Sequence, residues 1–145
     1  MAKTIKILKG FPNGTLELSD RGHTKAKKGN AIKWKIRDRS DKHSIEVASI
    51  ECIELKEGSD DIFSSSPHRD GDTWKATIDR TAAAYDASDY AIKWKDCKGN
   101  EYTHDPKISV LPSDNVFREV ALVAMAVVAT VALCFLFNKK RKFDL

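Results

Sequence analysis

Apolar and charged residues alternate with a period of two along most of the chain between Ile5 and Val110. Ile5 and Ile7 flank Lys6, Leu16 and Leu18 flank Glu17, and Ile32, Trp34 and Ile36 are interleaved with Lys33, Lys35 and Arg37. Ile45 and Val47 bracket Glu46, and Ile53 and Leu55 bracket Glu54; Trp74, Ala76 and Ile78, then Tyr90, Ile92 and Trp94, then Ile108 and Val110 follow. A strand buried on one face gives this spacing, and such strands belong to antiparallel sheets whose other face meets water. Turn-forming residues separate the runs: Pro12-Asn13-Gly14, Lys28-Gly29-Asn30, Gly58-Ser59-Asp60, Asp70-Gly71 and Lys98-Gly99-Asn100. The pattern predicts an all-β, antiparallel Greek-key β-sandwich of seven or eight strands. The segment from Arg80 to Ala87 fits either a helical turn or a loop between sheets. Ala-Ile-Lys-Trp-Lys occurs at 31–35 and again at 91–95 in unrelated flanking sequence. Both copies read as an inward Ile and Trp with outward lysines that blunt edge pairing, the two tryptophans facing each other between the sheets.

The alternation ends before Val120, where eighteen residues without a charge (120–137) are followed by Asn138-Lys139-Lys140-Arg141-Lys142. A helix of that length covers ~27 Å, close to the hydrocarbon thickness of a bilayer. The expected organisation is a sandwich domain at 1–112, a juxtamembrane linker at 113–119, a transmembrane helix at 120–137 and a basic tail at 138–145. Within the span, Ala126, Thr130 and Cys134 recur every four residues, a small-residue stripe that permits self-association and a homo-oligomer.

Charge narrows the function classes. Five of the 25 Lys/Arg and two of the 21 Asp/Glu lie at 118 or beyond, so the preceding residues are close to neutral. That balance argues against a nucleic-acid partner, which calls for a basic excess. The charges are nonetheless clustered along the chain. Arg21 to Lys42 is strongly basic and Glu46 to Asp61 strongly acidic, as the solvated faces of neighbouring strands would be.

The N-terminal Met-Ala-Lys-Thr-Ile-Lys-Ile lacks the apolar core of a secretory signal and reads as a first strand. The basic tail favours a cytoplasmic C-terminus and hence an external domain, whereas insertion as a tail anchor moves only 138–145 and leaves the domain in the cytosol. The cytosol-facing, tail-anchored arrangement is the expectation. Cys52 and Cys97 are widely spaced, with Cys134 in the span, and suggest no disulfide framework. No Ser/His/Asp arrangement, phosphate-binding glycine loop or Cys-x-x-Cys pair is present, which points away from an enzyme.

The order Lys27-Lys28-Gly29-Asn30-Ala31-Ile32-Lys33-Trp34, then Asp41-Lys42-His43-Ser44-Ile45-Glu46-Val47, resembles the cupredoxins, the plastocyanin- and azurin-type copper sandwiches. Ile62-Phe63-Ser64-Ser65-Ser66 with Gly71-Asp72-Thr73-Trp74, the strand Tyr90 to Cys97 and the closing Lys107-Ile108-Ser109-Val110 extend the likeness. The resemblance implies a copper site at one end of the sandwich, with His43 and Cys97 in place of the first histidine and the thiolate. The family's next histidine lies a few residues after the cysteine, with a methionine or glutamine beyond it. Here His104 comes seven residues after Cys97 and no methionine follows before the span, so the site is degenerate and no cofactor is expected.

The leading expectation is a non-enzymatic, membrane-tethered binding or sensor module that recruits a protein or peptide partner at the bilayer. Its candidate surface is formed by Arg37–His43, Ser64–Asp72 and Asp96–Asn100. Alternatives are a copper carrier or electron-transfer protein using His43, Cys97 and His104, and a single-span membrane-disrupting effector regulated by its β domain.

Overall fold

The computed structural model describes residues 1–112, which form ten strands and no helix. In chain order they are β1 (Ala2–Gly10), β2 (Leu16–Leu18), β3 (His23–Lys27), β4 (Ala31–Ile36) and β5 (Val47–Leu55). β6 (Phe63–Asp70), β7 (Thr73–Ile78), β8 (Ala87–Asp96), β9 (Glu101–His104) and β10 (Lys107–Leu111) follow. One sheet has the order β2-β1-β4-β7-β6; the other runs β3-β10-β8-β5, with β9 pairing the second half of β8. This is the architecture of a β-sandwich, and the alternation explains its core. Ile5, Ile7, Ile32, Trp34, Ala76 and Ile78 point inward from the first sheet, and Ile50, Ile53, Tyr90, Ile92, Trp94, Ile108 and Val110 from the second. Each large apolar side chain so buried contributes roughly 1.5–3 kcal/mol.

The sheets are mixed rather than purely antiparallel. β1 runs parallel to β4, pairing Ala2 with Ala31 through Ile7 with Ile36, and β3 runs parallel to β10. The cause is crossover. After the β1–β2 hairpin the chain leaves for β3 in the other sheet and returns to β4 through the turn at Gly29, whose φ of 72° is the left-handed conformation glycine tolerates. A second crossing splits the Ile45–Val47 pair. Ile45 bridges Gly10 at the end of β1 through two 2.8 Å hydrogen bonds, whereas Val47 opens β5 in the opposite sheet. A third runs from β7 to β8, where Arg80 to Asp86 forms a loop whose Tyr85 N–H donates to the Val110 carbonyl at 2.8 Å.

The repeated tryptophans are both fully buried, one in each sheet. Each packs on a tyrosine. Trp34 meets Tyr90 edge-on at 5.6 Å and donates its indole N–H to the Tyr90 hydroxyl at 3.1 Å, and burial pushes the Tyr90 phenol up. Trp94 stacks on Tyr102 at 4.4 Å and donates to the Gly14 carbonyl at 3.0 Å. Their strands are central, β4 between β1 and β7 and β8 between β5 and β9/β10, so the flanking lysines do not guard an edge. Lys93 and Lys95 instead pair across the second sheet with Glu54 (2.6 Å), Glu51 (3.6 Å) and Glu101 (3.2 Å).

Among the described residues no helix is long and apolar enough to cross a membrane. The uncharged run 120–137, the stripe Ala126/Thr130/Cys134 and the basic tail lie outside the described residues.

Candidate functional site

Three chain reversals meet at one pole of the sandwich. β4 ends at Ile36 and the chain reaches β5 through a loop held by two aspartates: Asp38 accepts from Ser40 N–H at 3.0 Å, and Asp41 accepts from His43 N–H at 2.9 Å. The β6–β7 hairpin turns at Asp70-Gly71-Asp72. The β8–β9 hairpin is built on Asp96, a buried carboxylate that accepts from Lys98 N–H (2.8 Å), Asn100 N–H (2.9 Å), the Asn100 amide (2.8 Å) and the Tyr102 hydroxyl (3.3 Å). These bonds, the Asn100 side chain foremost, hold Asp96 below the usual carboxylate range.

Between the β4 and β5 strand ends and the β6–β7 hairpin lies a cleft of about 530 Å³. Its apolar floor is Ile36, Val47, Ile50 and Trp74, and its rim is Lys35, Asp38, Glu46, Arg69 and Asp72, with Cys97 at the side. The Trp74 indole N–H donates to the Ile50 carbonyl at 3.4 Å, tying the two sheets together at the cleft floor. Lys35 and Asp72 pair at 3.7 Å, and Arg69 Nε donates to the Gly71 carbonyl at 3.2 Å. All three segments singled out in the sequence thus reach one surface, through Asp38, through Arg69 and Asp72, and through Cys97. Reasoning from strand patterns missed Lys35, Glu46 and Trp74 as rim and floor, because they sit within or beside runs that read as core and solvent faces.

The thiol at the side of the cleft is not an activated one. Cys97 lies against carboxylates: a hydrogen bond to Glu46 comes first, then burial, then the charges of Glu46, Asp96 and Asp38, all pushing its pKa up. A nucleophilic or metal-binding cysteine needs the opposite surroundings. The cleft thus combines an apolar floor with charges of both signs at its rim.

The three residues that the resemblance would assign to copper do not assemble. His43 sits in the turn before β5, with only its backbone held. In β9, Glu101 pairs with Lys95 and His104 with Ile92, so His104 stands three residues, or ~10 Å, along the strand from the hairpin that carries Cys97. Its Nε2 is buried without a hydrogen-bond partner and points toward Gly22, on a different cleft that Phe11, Leu16, Leu18 and Arg21 also line. Burial pulls its pKa below the ordinary imidazole value, opposed more weakly by Asp105 and Asp20. Among the described residues no three His, Cys, Asp or Glu side chains converge as metal ligands, so the copper arrangement does not fit this site. His23 bonds Ser109 Oγ at 2.7 Å across the β3–β10 pair, and His68 bonds the nearby Ser66 carbonyl at 2.9 Å.

No protein-family model matches this chain, and no curated protein matches it either.

Proposed function

We propose that the protein is a non-enzymatic, membrane-tethered β-sandwich that holds a protein or peptide partner at a bilayer through the cleft between β5 and the β6–β7 hairpin. One observation carries the reading: the cleft and the chain's exit lie at opposite poles. β10 pairs antiparallel with the first residues of β8 (Lys107 with Asp89, Ser109 with Ala87), so Leu111 leaves beside the start of β8. Cys97 follows the other end of that ten-residue strand, ~30 Å away. Tethering through the C-terminal sequence therefore leaves the cleft open to a partner in the aqueous phase. The uncharged run 120–137 supplies the tether in this reading, as a single-pass tail anchor with the domain in the cytosol. Tethering concentrates the bound partner at the bilayer without any new contact. The two mixed sheets are consistent with a β-sandwich scaffold, whose end loops are suited to docking.

The test has two parts. The full chain should resist alkaline extraction from membranes, and a chain ending at Pro112 should not. A photo-crosslinking residue at Ser49 should give a discrete adduct that Arg69→Glu abolishes, while one at Ser109, outside the cleft, should give none. A full chain recovered in the aqueous fraction ends the tether reading, and equal adducts from the two positions end the cleft reading.

A further inference from the structure

The two outer faces of the sandwich carry charge in different ways. On the second sheet cations and carboxylates pair across strands: Lys93 with Glu54, Lys95 with Glu51 and Glu101, and Lys107 with Asp89 at 3.6 Å. On the first sheet the register places Lys6 beside Lys35, and Lys33 directly opposite Lys75. Like charges opposed on neighbouring strands destabilise a sheet. Asp72 answers Lys35, and Asp70 pairs with Lys75 while feeling Lys33 only at longer range; Lys6 and Lys33 have no ion pair within 4 Å among the described residues. Arg37 extends the same alternation past the end of β4, its N–H bonded to the Ile7 carbonyl at 2.8 Å, and it too has none. Beside it Lys6, Arg37 and Arg39 surround a shallow depression whose one carboxylate, Asp38, is occupied by Ser40.

We infer that this face of the first sheet lies against anionic lipid headgroups. The inference rests on the tether proposed above. That tether is what selects lipid over a nucleic acid or an acidic protein: only residues 113–119 separate the described domain from the uncharged run, and seven residues span at most ~25 Å. Those seven residues let the domain turn this face onto the bilayer, where its cations meet the negative surface potential that decays over a Debye length of roughly 8–10 Å. Arg37 and Arg39 offer planar forks to headgroup phosphates, and Lys6 and Lys33 add mobile point charges. The cleft borders this face at Lys35 and Asp38, but Lys6, Lys33, Arg37 and Arg39 are not part of its lining, so docking leaves those four accessible.

The full chain, reconstituted into vesicles of phosphatidylcholine alone or with about one third phosphatidylserine, is labelled with a lysine-acetylating reagent and read by peptide mass spectrometry. Acetylation of Lys6 and Lys33, normalised to Lys93 and Lys107, should fall about fivefold in the anionic vesicles and recover in high salt. Equal labelling in both vesicle types overturns the inference while leaving the tether intact. Protection that appears only when RNA or polyglutamate is added assigns the face to a soluble polyanion and also overturns it. A chain that fails to enter either kind of vesicle fails the tether first, and the inference falls with it.

Discussion

The Trp94 indole lies directly on Gly10: a Cβ built at Gly10 would stand 2.8 Å from Cζ2 and 2.9 Å from Cζ3, and closer still to Cη2. Gly10 ends β1 of the first sheet and Trp94 belongs to β8 of the second, so this contact sets how closely the sheets approach. The obstacle is a rigid buried ring that is also held by its bond to Gly14, not the free end of a flexible side chain. Gly10→Ala should cost ~2 kcal/mol or more as an overpacked core, seen as a lower urea midpoint with an unchanged slope. Trp94→Phe in the Gly10→Ala background should recover part of the loss, because the smaller ring makes room for the methyl group.

Asp96 gives the β8–β9 hairpin a pH dependence with a definite sign. Its folded pKa lies below the ordinary 3.8, so at low pH the unfolded chain binds the proton more readily. The contribution is fully present above 3.8 and is lost as pH falls through the folded value. The urea midpoint should therefore drop on acidification below about pH 4, more steeply in the natural sequence than in Asp96→Asn. Asp96→Asn should also loosen the hairpin at neutral pH, read as faster amide exchange at Lys98 and Asn100, whose N–H groups the carboxylate accepts.

His104 titrates in the same direction at a higher pH. Burial favours the neutral imidazole in the folded state, and its Nε2 has no partner to steady a proton. Below about pH 6.5 the unfolded chain takes up the proton first, so stability is complete above that value and falls as pH drops toward the lower folded pKa. Thermal denaturation from pH 7.5 to 5 should show this decline in the natural sequence. His104→Gln, which does not titrate, should flatten it.

Much of the sandwich is legible in the sequence because burial of one face leaves a period-two trace. β1, β2, β4, β7, β8 and β10 lie where that trace is clear, and the glycine turns mark their ends. β3 leaves none: its inward residues are Thr24 and Ala26, one polar and one small. β6 is an edge strand of serines with Pro67, defined by its pairing to β7 and not by apolar residues. β5 reads as two fragments because its register shifts at Val47/Ser49 and Ile50/Cys52, so Val47, Ile50 and Ile53 are buried at a spacing of three. The parallel pairings depend on which sheet each crossover enters, which local pattern does not encode. The cleft's loops are legible as turn segments, whereas Lys35, Glu46 and Trp74, in or beside its strands, are not, and the basic face stays hidden because Lys33 and Lys75 become neighbours only through register.

Cys97 separates a docking cleft from a redox or copper site by its reactivity. With Glu46 as the main cause of its raised pKa, the thiolate is scarce at neutral pH, and thiolate is the reacting and metal-binding form. Alkylation by iodoacetamide at pH 7.5, followed at the Cys97 peptide by mass spectrometry, should be slower than for an unstructured peptide of the same local sequence. Glu46→Gln removes the adjacent charge, keeps the side chain's size, and should speed the reaction severalfold, with a rate–pH curve displaced to lower pH. Cys52 lies across the second sheet, and its pKa is raised chiefly by burial with Glu54 next, so it should not respond to Glu46→Gln and serves as the internal reference. A Cys97 that alkylates faster than the peptide would mean the thiol is activated, and the cleft would then have to be read as a reactive centre. A slow Cys97 that speeds up only in Glu46→Gln is the behaviour of a thiol placed beside a rim charge.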